Sequence, residues 1–141
     1  MALTKATNSM ITGAQINIKD FESLSSGGTD WQPAIQAAID SLDTGDDTVT
    51  GGVVYFPVGR YYIKSPIVVD CSNPASLASI TLQGEGIHNT VIDCAPGFVG
   101  DQAIQALDPT YCAFKDFMII GWDRVAVGLE LEGGVKGGLT L

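Results

Sequence analysis

The sequence predicts an all-β chain, a right-handed single-stranded parallel β-helix preceded by one amphipathic α-helix. Three observations carry the prediction. From Gly51 onward, short β-prone runs alternate with Gly, Pro and Asn corners. Before them lies the one segment with helical periodicity. The dividers between runs are too short for helical crossovers, and the two-residue turns Asn-Gly and Asp-Gly that close tight hairpins are absent. Strands that pair neither as hairpins nor through crossover helices can still stack, each on its counterpart one turn later.

Composition fits such a coil. The chain has 141 residues and 45% hydrophobic content, enough for a packed core, with 17 glycines for corners and only 16% charged residues. Seven Lys and Arg against 16 Asp and Glu give a net charge of −9, which repels polyanions and excludes nucleic acid as a partner. No stretch approaches the ~20 apolar residues of a membrane span. No apolar run follows Lys5, so neither a secretory signal nor a membrane partner is expected, and synthesis in a cytoplasm is. Cys71, Cys94 and Cys112 are widely spaced and include no CxxC pair, so buried free thiols are expected and not a zinc site or disulfide framework. No metal and no cofactor is predicted.

In chain order, residues 1–15, Met1 to Gln15, carry too little apolar surface for a core and read as an arm that needs a partner. Residues 16–50 form the entry to the coil. Ile16, Ile18 and Phe21 alternate with polar residues in a short strand, and Ser25-Ser26-Gly27-Gly28 turns the chain. Trp31, Ala34, Ile35, Ala38, Ile39 and Leu42 then fall on one helical stripe ending near Leu42. Thr29 is the expected N-cap with Gln32 as its capping-box partner, Pro33 suits the first turn, and Asp30 favours that end through the helix dipole. Thr44-Gly45-Asp46-Asp47 is turn chemistry.

Residues 51–141 hold the first coils. Expected strands are Val53 to Phe56, Tyr61 to Ile63, Ile67 to Val69, Ile80 to Leu82, Thr90 to Ile92, Ala103 to Gln105, Cys112 to Ile120 and Val125 to Leu131. Aligning Ile80-Thr81-Leu82 with Phe114-Lys115-Asp116 requires an offset of 34, and aligning Phe114 with Leu141 an offset of 27. Unequal offsets are what corner loops of variable length produce. Gly84 to Gly86 and Gly121 mark corners. Leu139-Thr140-Leu141 reads as the first strand of a third coil, so the repeats are expected to be still running where the sequence stops.

The order Ile16-Asn17-Ile18-Lys19-Asp20-Phe21, Gly28-Thr29-Asp30, Ala34 to Ile39, Gly51-Gly52-Val53-Val54-Tyr55-Phe56-Pro57, Gly59, Tyr61 and Leu82-Gln83-Gly84 resembles the pectate-lyase-like family of right-handed β-helix proteins. That resemblance makes the helix the cap over the first coil, which would otherwise expose its lumen and a row of unpaired backbone groups. The leader Leu3-Thr4-Lys5-Ala6-Thr7-Asn8-Ser9-Met10-Ile11 is similar to the start of bacteriophage tailspikes and capsule depolymerases that carry this coil. The chain departs from the family pattern at Glu22, where members often have Gly, and at Trp31, where they often have a second acid.

Glycan-cleaving members of that family use paired carboxylates for hydrolysis or a base for elimination. Stacked coils suit paired acids, because strands ~4.8 Å apart bring side chains to the ~5.5–9.5 Å separations of glycosidases. The acids of the coil region are Asp93, Asp116, Asp123, Glu130 and Glu132, each expected to be a solvated corner or surface residue. Asp116, Asp123 and Glu130 are the catalytic candidates, although the resemblance puts the working groove on coils beyond Leu141. Trp122, beside Asp123 and Arg124 at a corner, is the aromatic expected to be exposed, which makes Trp122 and Arg124 the candidate substrate contacts. The glycines of Gln83-Gly84-Glu85-Gly86 turn a corner and bind no phosphate, since no helix follows; His88 reads as a loop residue.

The resemblance implies a phage tailspike that recognises and degrades bacterial capsular polysaccharide or lipopolysaccharide as a hydrolase or lyase. This segment would cap the coil, support a homotrimer and attach to other tail proteins through Met1 to Gln15, with a virion location. The alternatives are a non-catalytic adaptor of the tail and a secreted pectinase-like enzyme, which the missing signal peptide opposes.

Overall fold

The computed structural model describes residues 15–43, 51–72, 78–134 and 138–141. The expected arm up to Ala14 and the expected turn at Thr44 to Asp47 lie outside the described residues. Among the described residues ten short strands build three sheets in which, after the first strand, each strand pairs with the one three later in the chain. The first contains β1 (Gln15–Asn17), β2 (Gly52–Tyr55), β5 (Ile80–Gln83) and β8 (Ala113–Lys115). The second contains β3 (Gly59–Ile63), β6 (Thr90–Cys94) and β9 (Met118–Ile120), and the third β4 (Ile67–Asp70), β7 (Gln102–Leu107) and β10 (Val127–Glu132). All seven pairings are parallel. The chain is a parallel β-helix, as the corner spacing predicts.

Register explains the unequal offsets. Thr81 lies opposite Ala113, an offset of 32, and Ala113 bridges Thr140, an offset of 27. The second value agrees with the sequence alignment; the first is two residues shorter than the expected 34. The expected strand from Cys112 to Ile120 is also divided, at Asp116 with its φ of 62°, into β8 and β9. A slip of two keeps side-chain parity, so the same residues still point inward. Gly84 shows how closely coils meet there. A Cβ at that position would sit 2.2 Å from the Asp116 carbonyl oxygen.

The inward faces form one continuous core. Val54, Leu82 and Phe114 stack in the first sheet, Tyr61 and Ile92 in the second, and Ile67 and Ile104 in the third, all at most 5% exposed. Each such aliphatic contributes about 1.5–3 kcal/mol relative to exposure. Cys71, Cys94 and Cys112 are all buried and free.

The amino end of this core is closed by α1 (Gln32–Asp40), whose entire predicted stripe is buried. Ahead of it, the chain enters through β1 and a 3-10 helix from Ile18 to Leu24, shorter in strand and tighter in coil than the alternation implies. Trp31 packs edge-on against Tyr61 at 5.1 Å, and the Lys19 ammonium lies 4.5 Å over the Trp31 ring. The cap also satisfies the open edges of the first coil. The Trp31 N–H donates to the Tyr62 carbonyl (2.6 Å), and the Asp30 carboxylate accepts from the Lys64 N–H (3.1 Å). Gln36 donates to the Val68 carbonyl and accepts from the Val68 N–H, both at 2.9 Å, so one amide stands in for a missing strand along β4. Gln32 does the same for the Pro66 carbonyl (2.9 Å).

Those edge bonds change the expected capping box. Thr29 instead donates to the Ser26 carbonyl, Asp30 accepts from the Gln32 N–H, and the Gln32 side chain is occupied at Pro66. The helix ends at Asp40, before the expected Leu42, but Leu42 remains buried at 5% exposed.

Candidate functional site

The outward face of the second sheet carries a cluster of polar and aromatic side chains. In β6, Thr90, Ile92 and Cys94 face the core and alternation turns Asp93 outward, yet Asp93 is only 3% exposed. It differs in this from the solvated acid its sequence context suggests. Two side chains from neighbouring coils cover it. Arg60 of β3 sets Nε 2.6 Å from Asp93 Oδ2, and Trp122 donates its indole N–H to Oδ1 at 2.9 Å.

Trp122 reaches back because of the corner after β9. Trp122 and Asp123 both take left-handed backbone, φ 54° and 61°, and the Arg124 N–H closes the turn on the Gly121 carbonyl at 2.9 Å. This turn folds the indole over the preceding coil while leaving it 57% exposed. Arg124 is anchored by a bond from Nη1 to the Cys94 carbonyl (2.8 Å), with its guanidinium 6.0 Å from the Trp122 ring centre. On the other side the Arg60 guanidinium lies 5.9 Å over Tyr62, itself 40% exposed. Tyr62 is the register partner of Asp93.

Both arginines of a chain with net charge −9 therefore converge on one spot beside two exposed rings. Arg60 is compensated by Asp93. Arg124 bonds a neutral carbonyl, so its charge stays available to an acceptor oxygen. An exposed indole, tied at its N–H and with a guanidinium 6.0 Å from its ring centre, suits a sugar ring, whose C–H face packs on the aromatic while its hydroxyls or carboxylates meet the cation.

The three candidate acids occupy different parts of the coil. Asp116 is exposed at the corner between β8 and β9, where its carbonyl accepts from the Gly86 N–H at 2.8 Å. Asp123 is exposed beside Trp122, and Glu130 lies half-buried on β10, in register with Gln105. They do not converge on one face. Of the two predicted contacts, Trp122 is exposed and touches Arg124, so the structure brings that pair together. Arg60, Tyr62 and Asp93 escape sequence reasoning as partners of the corner because Asp93 lies 29 residues before Trp122 and Arg60 a further 33, and they and Tyr62 join it only through register.

Other features contribute less. Past β8 to β10 the lumen opens into a cavity of about 400 Å³ lined by Ile104, Phe114, Ile119, Leu129 and Leu141, with Lys115 and Asp116 as its charged members; it continues the core and has no polar convergence. Tyr55 donates to Glu85 at 2.5 Å, a bond that raises the Tyr55 pKa. His88 is exposed in its turn. Among the described residues no three His, Cys, Asp or Glu side chains are grouped to hold a metal, and no helix is long and apolar enough to cross a membrane.

Known proteins share this architecture. ORF18 of Geobacillus virus E2 superposes with a TM-score of 0.63 at 25% identity, covering 82% of this chain and 22% of that one. The A-module of mannuronan C-5 epimerase AlgE4 from Azotobacter vinelandii gives 0.59 at 24% identity over 87% of this chain and 35% of that chain, a likeness of fold. In sequence, mannuronan C5-epimerase AlgE1 of Azotobacter vinelandii is 38% identical over 101 residues, 71% of this chain but only 7% of that protein. Alginate lyase 7 of the same organism is 32% identical over 84 residues, 60% of this chain and 9% of that protein. The chain thus spans about a tenth or less of these curated relatives. The family model described as rhamnogalacturonase A/epimerase, pectate lyase-like, matches residues 15–117, the capping helix and all coils up to β9, and the chain belongs to that pectate-lyase-like family.

Proposed function

We propose that this chain is the amino-terminal, cap-bearing part of a phage tailspike that recognises and degrades a bacterial surface polysaccharide, capsular or lipopolysaccharide. The observation that carries the reading is the exposed Trp122 and Arg124 platform on a coil whose relatives are named for mannuronan and alginate, both polysaccharides. The viral neighbour supports a place in a phage virion. On this reading the segment binds and caps, and later coils supply the chemistry, because Asp116, Asp123 and Glu130 do not converge. The arm from Met1 to Gln15 attaches the spike to other tail proteins, and the parent assembles as a homotrimer.

The test is to incubate this chain and a longer product carrying further coils with capsular polysaccharide and lipopolysaccharide. Oligosaccharide release and unsaturated-sugar absorbance are followed, the latter marking a lyase. The longer product is expected to cleave and the 141-residue chain only to bind. Cleavage by the short chain would overturn the placement of the chemistry. Absence of both binding and cleavage in the long product would overturn the polysaccharide reading. Light scattering on the longer product tests the trimer, and a monomer would refute it.

A further inference from the structure

We propose that Asp93 is a positioning residue that fixes Trp122 and Arg60 as one rigid contact surface for a sugar ring. The proposal rests on the polysaccharide reading above and deepens it. A carboxylate on an outward face normally stays in water; Asp93 is 3% exposed because its two oxygens are spent on the Trp122 indole (2.9 Å) and the Arg60 guanidinium (2.6 Å). The three groups belong to three successive strands of one sheet or to the corner that ends it, and are separated by 33 and 29 residues in sequence. Solvent-exposed indoles usually rotate freely; this one is tied at its N–H, which lowers the entropy lost when a ligand stacks on it. Tyr62, opposite Asp93 in register and beneath the Arg60 guanidinium, extends the surface by one coil.

The test uses the chain with Asp93→Asn, Asp93→Leu and Trp122→Ala. Asp93→Asn keeps an oxygen for the indole and loses the charge facing Arg60; Asp93→Leu loses both. Binding is measured by tryptophan fluorescence and calorimetry against purified capsular polysaccharide, lipopolysaccharide glycan, and defined charged and neutral oligosaccharides, with thermal melting of each variant as the folding control. Trp122→Ala and Asp93→Leu are each expected to weaken binding at least about tenfold, as loss of an aromatic anchor does. Asp93→Asn should recover part of the affinity while the variants' melting temperatures stay close, a split that a merely structural residue would not give. If the wild-type chain binds a glycan and the Asp93 variants bind equally well, the positioning role is refuted while the polysaccharide reading stands. If the wild type binds nothing in the panel, both fall.

A second inference rests on a separate observation. Cys71 follows β4 and Cys112 precedes β8, and their sulfurs lie 3.6 Å apart with both side chains at most 1% exposed. The geometry points to a cysteine pair that closes into a disulfide between coils when the protein meets a peroxide oxidant. The Cys112 thiolate attacks hydrogen peroxide, giving a sulfenic acid and, with one proton, water; the Cys71 sulfur then displaces that hydroxyl, which leaves as a second water with the Cys71 proton. Two thiols and one peroxide thus yield one disulfide and two waters. The S–H···S contact supports this order, because a Cys71 thiol donating to the Cys112 sulfur lowers the Cys112 pKa and raises its own. Peptide mapping without reductant after peroxide treatment should find Cys71 joined to Cys112 and Cys94 free. The melting temperature should rise by about 5–10 °C and fall back on reduction, because a loop of 41 residues is closed. Thiols recovered unlinked, or Cys94 in the linkage, would overturn the pair.

Discussion

Gln36 is the residue through which the capping helix performs a strand's work, and removing its amide measures how much the cap contributes. Its side chain makes both the donor and acceptor contacts to Val68 at 2.9 Å, at a part-buried site where water replaces them poorly. Gln36→Leu keeps the helix propensity of the side chain and deletes both bonds to Val68, together with an exposed one to Asp40. Each lost bond costs about 0.5–1.5 kcal/mol, so the pair is worth about 2 kcal/mol. In a chain of 141 residues that lowers the melting temperature by about 4–8 °C. Urea and thermal unfolding followed by far-ultraviolet circular dichroism read both quantities. The exposed pair between Gln105 and Glu132 is the control, and Gln105→Leu should stay within about 0.5 kcal/mol. Gln36→Glu sharpens the test: an ionised carboxylate keeps the acceptor and opposes the Val68 carbonyl, so its penalty shrinks on acidification, when the protonated acid donates again. A Gln36→Leu variant as stable as the parent would refute the view that the cap acts by satisfying β4.

Three further outcomes follow from the packing. Gly84→Ala puts a Cβ 2.2 Å from the Asp116 carbonyl oxygen, so coils must separate; a loss above about 3 kcal/mol, or insoluble product, is expected in urea titration and expression assays. Trp31→Ala removes the ring between α1 and Tyr61 and should cost about 3–5 kcal/mol by the same titration, with early hydrogen exchange of the cap. Burial first, then the nearby Tyr55 and Glu22, pushes Tyr61 up to about 12 from 10.0. A raised folded-state value stabilises fully below pH ~10 and is lost as pH rises from there through about 12; tyrosinate absorbance should show Tyr61 ionising last, and Tyr61→Phe should flatten the fall in stability over that window.

The parts of this fold that are legible in the sequence are those set by local periodicity. The stripe from Trp31 to Leu42 names the buried face of the cap residue by residue, and the alternation in β3 to β6 names the inward set. Corners are less legible, because a left-handed residue there need not be glycine. Asp116, Trp122 and Asp123 all take positive φ, and reading Cys112 to Ile120 as one strand misses the first of them. The cap's hydrogen bonds are invisible for a related reason. Thr29 and Gln32 form a sound local capping box, but Pro66 lies 34 residues from Gln32 and outcompetes it once the coil is wound.

The candidate site fails to show in the sequence for the same cause, and this bears on how such surfaces arise. Trp122 and Arg124 stand out as an exposed corner, but their partners at Asp93, Cys94 and Arg60 depend on a register that differs from one coil to the next. Between β3 and β6, Gly59 pairs with Thr90; between β6 and β9, Val91 pairs with Met118. The first step spans 31 residues and the second 27, so each corner sets which outward side chains become neighbours without disturbing the inward stack. Corner length therefore tunes the surface independently of the core. A single residue inserted between Gly121 and Val125 would leave Ile92 and Ile119 packed while carrying the indole away from Asp93, which separates the recognition surface of this coil from its stability.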